Sequence, residues 1–176
     1  MHAAAVTVMI PRMPDRPSRL WKNLPAEKRL ALAEAFWRDE QSQDIQAQRI
    51  EAVVAIARRL NFRPKSVQAL PIERRARYLA QIADVSDAIA SRALIAYHFA
   101  AQRPLMSAFL DAVGIAHENG LITAEHVDAP DRARIAAAID KVRASQPAAD
   151  LEIYLRTLAA LDGETWKDVE GLLPLA

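Results

Sequence analysis

The chain has 176 residues, no cysteine, four glycines and a formal net charge of +1. That length fits one domain whose core needs no covalent staple, and the missing thiols exclude disulfide scaffolds, thiol catalysis and thiolate metal sites. Scarce glycine, abundant alanine and an aromatic share of 6% argue for closely approaching helices, and no apolar run reaches the roughly 18 residues of a membrane span.

The opening stretch MHAAAVTVMIPRMPDRPSR has no basic segment ahead of its short apolar part, and prolines interrupt it where a helix would continue. Residues 1–17 are therefore expected to be a disordered leader rather than a signal peptide, with residues 18–176 forming a single helical domain. A cytoplasmic location follows as the default. Within the leader, AVTVMI is the one stretch with strand-like alternation.

Ser18 to Leu24 reads as a short helical turn closed by Pro25, which opens a helix running to about Glu40 that buries Leu30, Ala33, Phe36 and Trp37. The polar patch DEQSQD separates it from a helix starting near Asp44. Its stripe of Ile45, Ala52, Val53, Ile56, Ala57 and Leu60 is interrupted once, by Arg49. Asn61 tolerates the left-handed conformation that ends a helix. Pro64 opens a short helix to Leu70, and Pro71 starts IERRARYLAQIA.

From Asp84 to about Gln102 most of the helical circumference is apolar: Val85, Ala88, Ile89, Ala93, Ala96, Tyr97 and Ala100 on one face, with Leu94, Ile95 and Phe99 on another. Such a helix belongs at the centre of a bundle. Pro104 begins a further helix carrying Leu105, Phe109, Ala112, Val113 and Ala116, which Asn119-Gly120 is expected to stop. Thr123 then caps a turn, TAEHV. Ile135, Ala138, Ile139 and Val142 mark a helix over Asp131–Ala144. Leu151, Tyr154, Leu155, Leu158 and Leu161 mark another, and Trp166, Val169 and Leu173 define a last one. The fold is expected to be all-α, a single compact bundle of about nine or ten short-to-medium helices around the helix 84–102.

Two internal patterns stand out. LPAEKRLALAEAFW from Leu24 and LPIERRARYLAQIA from Leu70 share Leu, Pro, Glu and Arg at an offset of 46 residues. An offset of that size suits a helix pair and weakly resembles the unit of HEAT or armadillo arrays, although Pro, acid and base in that order also open helices in general. The second pattern is IARRLNFRPKSVQAL, Ile56 to Leu70. Ala57, Leu60, Asn61, Phe62, Val67 and Leu70 stand where a helix-turn-helix wants small, apolar and positive-φ residues, so the segment resembles the helix-turn-helix of bacterial repressors. The resemblance implies that Arg63, Lys65, Ser66, Gln68 and Ala69 face the major groove, with Arg74, Arg75 and Arg77 near phosphates. Asn replaces the usual turn glycine, which is tolerable, but two departures weigh against the resemblance: Pro71 limits the second helix to about seven residues, and the neighbouring helices continue as a large apolar bundle where a repressor would carry a sensor or dimerisation domain.

Charge is spread unevenly. Residues 1–103 carry 17 Lys/Arg against 10 Asp/Glu, and residues 104–176 carry 6 against 12. Either the basic half meets an anionic partner, or copies attract one another through opposite halves, or solvated helix faces simply drift in sign. The densest cluster is Arg58, Arg59, Arg63, Lys65, Arg74, Arg75 and Arg77, beside Ser66 and Gln68.

Catalytic signatures are sparse. No serine occupies a G-x-S-x-G elbow and no glycine-rich loop cradles phosphate. His117, Glu118, Glu125, His126 and Asp128 cluster around Asn119-Gly120 but lack a spacing that puts two metal ligands on one helical face. His98 falls on the polar edge of the central helix, where a hydrogen-bonded structural role is expected. No catalytic, cofactor-binding or metal-ligating residue is assigned, and no cofactor or membrane partner is expected. The leading expectation is a non-catalytic interaction or scaffold module that binds protein, itself included, through the basic cluster. The alternative is a DNA-binding regulator reading through residues 56–70, and an enzyme comes third, since sparse motifs leave open a site assembled from distant residues.

Overall fold

A computed structural model describes residues 16–40, 42 and 45–173. Among these, nine α-helices follow one another with short connections: α1 Pro17–Asn23, α2 Ala26–Arg38, α3 Ile45–Leu60, α4 Pro64–Gln68, α5 Ile72–Ala80, α6 Asp87–Ala101, α7 Arg103–Val113, α8 Arg132–Arg143 and α9 Ala148–Leu161. The fold is all-α apart from a two-stranded hairpin, β1 His117–Glu118 with β2 Leu121–Ile122. The strand-like AVTVMI and the helix start near Asp44 lie outside the described residues. Pro17, expected in the leader, is instead buried in the first turn of α1.

Helix α6 is central, as its apolar circumference requires. It touches α1, α2, α3, α7 and α9, and Ala90, Ala93 and Leu94 have no accessible surface. It begins at Asp87 rather than Asp84 because Ser86 caps it, accepting the Ile89 N–H at 3.2 Å. Ala88 and Ala100, assigned to its buried face, are exposed near the two ends. Helix α1 is tied across this start. Ser18 N–H donates to Asp87 (3.0 Å), Lys22 pairs with Asp84 (2.7 Å), and the Trp21 indole donates to the Ile82 carbonyl (2.8 Å). Hydrogen bonding from Ser18 holds the Asp87 carboxyl below its ordinary range.

Buried apolar side chains form two clusters. The first unites α1–α6 around Trp21, Leu32, Phe36, Ile56, Leu79 and Leu94. The second unites α7–α9 and the C-terminal segment around Phe109, Leu110, Ile135, Leu155, Trp166 and Val169. Helix α9 joins them: Ile153 packs in the first cluster, while Leu151, Tyr154 and Leu155 pack in the second. Lys28 of α2 reinforces the seam, donating to Asp150 of α9 at 2.5 Å and to the Tyr97 hydroxyl at 3.2 Å. The hydrogen bond to Asp150 raises the Lys28 pKa against the opposing effect of burial.

The two Leu-Pro segments do meet. Pro25 and Pro71 precede their helices with nearly the same backbone, φ −57° and ψ 151° against φ −55° and ψ 151°. Each therefore sits one residue before its helix rather than inside the first turn. Helices α2 and α5 then pack together with the end of one beside the start of the other, as the Arg38–Glu73 pair at 3.2 Å requires. Stacked repeats set equivalent helices side by side in the same direction, whereas these two run antiparallel.

Two expected elements differ. Helix α7 ends at Gly114, whose φ of +67° lets its N–H reach Asp111 and Leu110 carbonyls while Ile115 N–H bonds Leu110. Asn119-Gly120 is a hairpin turn rather than a helix stop: both residues have positive φ, +50° and +85°, as a two-residue type I′ connection demands. The last expected helix is a run of turns ending in a 3-10 segment at Glu170–Leu172, although Trp166, Val169 and Leu173 are buried as its period implied.

Candidate functional site

Helices α3, α4 and α5 carry the basic cluster. The chain leaves α3 through Asn61 at φ +55°, with Phe62 N–H bonding the Ala57 carbonyl at 2.9 Å. Helix α4 follows after one extended residue, Arg63. Val67 is fully buried against α3, so its neighbours Ser66 and Gln68 face outward and are exposed, with Lys65.

Arg58, Arg59, Arg63, Arg74 and Arg77 are also exposed. Between Arg58 and Arg77 the one acidic residue is Glu73, and its carboxylate is engaged by Arg38. Its own backbone N–H, and then Arg38, hold that carboxyl below the usual range. Among the described residues no carboxylate pairs with Arg58, Arg59, Arg63, Lys65 or Arg74. Phe62, expected to pack the turn, is 46% exposed beside these cations.

Arg75 behaves differently from the other members. It is half-buried with its guanidinium carbon 4.6 Å over the Trp37 ring, so it is withdrawn from the phosphate-facing role the repressor resemblance implied. Burial lowers its pKa, and the nearby charge of Arg49 lowers it further. Arg49, the interruption in the α3 stripe, turns back on α2 instead of toward solvent. One of its terminal nitrogens donates to the carbonyls of Phe36, Trp37 and Asp39 at 3.2, 3.0 and 2.7 Å. It thereby satisfies the last carbonyls of α2, which have no partner within the helix. Trp37, Arg49, Gln68 and Arg75 converge on a pocket of about 200 Å³, with Gln46, Ile50 and Val53 completing its wall. Of this set the sequence offered only Gln68 and Arg75 as candidate contact residues. Arg49 announced itself by breaking an otherwise apolar helix face.

No protein-family model, curated protein or solved structure matches the chain.

The remaining candidates fall elsewhere. His117 lies on the hairpin, its Nε2 3.1 Å from Asp111 and its Nδ1 accepting the Gly120 N–H at 3.2 Å. His126 is exposed, 3.6 Å from Asp128. Among the described residues no three His, Asp or Glu side chains gather as a metal site. His98 is not on a polar edge but 2% exposed, with Nε2 3.0 Å from the Thr157 hydroxyl. Burial pushes its pKa down to about 4. A larger groove of about 600 Å³ runs between α2 and α6, with Ala31, Ala35, Ala96 and Phe99 along it and Arg38 and Arg103 at its sides. Among the described residues no helix is long and apolar enough to cross a membrane.

Proposed function

We propose that this chain is a non-catalytic binding module whose α3–α5 face receives the acidic surface of a protein. The observation that carries the reading is the run of exposed, carboxylate-free cations, Arg58, Arg59, Arg63, Lys65 and Arg74, on three consecutive helices. Unpaired like charges on adjoining elements repel one another, and an opposing surface removes that cost while steering the encounter. Phe62 adds an exposed aromatic at the same face, the residue type enriched where interfaces bury area. A second copy is one source of such a surface, because residues 104–176 carry 12 acidic against 6 basic side chains.

Sedimentation at rising protein concentration and two salt levels tests the self-association form. A mass that grows with concentration, shrinks in high salt and stays monomeric in Arg58→Glu/Arg63→Glu supports it. A concentration-independent monomer, combined with no capture of an acidic protein surface by the wild type, refutes the reading.

Duplex DNA is the second reading, favoured by one observation: Ser66 and Gln68 stand exposed on α4 while Val67 anchors it. Helix α4 spans only five residues, which limits how many side chains reach base edges. Fluorescence anisotropy with a labelled duplex decides it. Binding that weakens steeply with salt and disappears in Lys65→Glu/Arg74→Glu supports DNA recognition; absence of binding at low salt removes it.

A further inference from the structure

The pocket at the α2–α3–α4–α5 junction has chemistry of its own. It holds two guanidinium groups, Arg49 and Arg75, and no carboxylate among its lining residues. Of the acidic groups near these residues in sequence, Asp39 is engaged by the Ser42 hydroxyl at 2.6 Å and Glu73 by Arg38, while Glu51 is exposed and does not line the pocket. Both arginines are held in place beforehand. Arg49 is fixed by three backbone carbonyls, and Arg75 by the Trp37 ring.

Three buried N–H donors on these residues, Arg49 Nε, Arg75 Nε and Trp37 Nε1, have no acceptor. Buried donors are normally satisfied, so three together on residues that line one pocket need an explanation. Arg49 and Arg75, both half-buried on one pocket wall, repel one another, a cost that an anion between them would remove. At about 200 Å³ the pocket has room for roughly six waters' share of volume, enough for one oxyanion group and a few attached carbons.

We infer that this pocket binds a small oxyanion, the carboxylate or phosphate group of a compact ligand, between Arg49 and Arg75, with the Gln46 and Gln68 amides as further donors. Guanidinium forks match the planar and tetrahedral arrangements of such oxygens, and fixed donors lose little freedom on binding. Ile50, 59% exposed at the wall, offers an apolar contact to the carbon portion of the ligand. The inference concerns a pocket between helices rather than the exposed cationic face, and it stands whether or not that face meets a macromolecule.

The experiment is a titration followed by the indole N–H signals of 15N-labelled full-length protein at constant ionic strength. Sodium phosphate and sodium acetate are added separately, with sodium chloride as the control. The Trp37 signal, assigned through Trp37→Phe, should shift and saturate with at least one of the two oxyanions. The Trp21 signal should stay still, because its N–H is already bonded to the Ile82 carbonyl. Arg75→Gln should raise the half-saturating concentration about tenfold, the loss of one charge-assisted contact, whereas Arg75→Lys should keep part of the affinity. Saturation by phosphate alone assigns a phosphate group, and by acetate a carboxylate. A Trp37 signal that never saturates, that follows chloride equally, or that responds unchanged in Arg75→Gln overturns the site. Arg58→Glu/Arg63→Glu should leave this titration intact, which separates failure of the pocket from failure of the exposed face.

Discussion

His98 makes the stability of this protein sensitive to mild acid. The Thr157 hydroxyl donates to the Ile153 carbonyl at 2.8 Å, so toward the imidazole it acts as acceptor, and the proton must reside on His98 Nε2. That leaves Nδ1 as a bare acceptor with no partner, enclosed by the rings of Tyr97 and Tyr154 at 5.5 and 5.2 Å between centroids. A proton arriving there would create a buried charge with nothing to bond it. Asp150 favours that charge and Lys28 opposes it, but both are outweighed by desolvation, and the pKa falls from 6.5 to about 4.

The sign follows directly. Above pH 6.5 folded and unfolded chains both hold a neutral imidazole, and this residue adds no pH dependence. Between 6.5 and 4 the unfolded chain takes up a proton that the folded chain refuses, so stability drops. The loss is about 2 kcal/mol at pH 5 and approaches about 3 kcal/mol near pH 4, below which it levels off. Urea unfolding at a series of pH values from 7.5 to 4.5, for wild type and His98→Gln, measures it. The variant starts less stable, because ring packing is lost, but its stability should fall less across this range. Parallel slopes for the two proteins would refute the assignment.

Other perturbations probe the remaining devices. Asp131→Ala removes the cap of α8, whose carboxylate accepts the Arg134 N–H at 2.8 Å, and should cost about 1 kcal/mol in denaturant unfolding. Gly120→Ala meets both a φ of +85° and a Met106 Cβ only 2.9 Å from the new methyl; about 1–3 kcal/mol of destabilisation is expected by thermal unfolding. Arg49→Ala frees three carbonyls at the end of α2 and should lower stability by about 2 kcal/mol, with faster amide exchange in that last turn.

Much of the helical content was legible because packing here follows a single period. Ala93 and Leu94 declared the buried rod by making most of its circumference apolar, and Asn61 marked its turn by being able to adopt positive φ. Other features were invisible for physical reasons. The apolar rhythm of α7 runs on through Ala116, so nothing in it distinguished Gly114 from Asn119-Gly120 as the stop, and two-residue strands are too short to show alternation. His98 read as an edge residue because the groups that enclose it, Tyr154 and Thr157, arrive from α9, more than fifty positions away. The Trp37–Arg75 stack and the Arg49 contacts are likewise products of tertiary approach. Trp166 and Val169 kept helical spacing without a regular helix, both buried from a run of turns over residues 163–169.

The position of Ile153 gives α9 a consequence out of proportion to its length. It hands one side chain to a neighbour's interior while keeping the rest for its own, much as a dowel is glued into two boards. Were the chain severed after Gln146, the amino-terminal portion would lose Ile153 from its interior and leave Lys28 without Asp150. Heat or urea should accordingly undo both halves in one step rather than two.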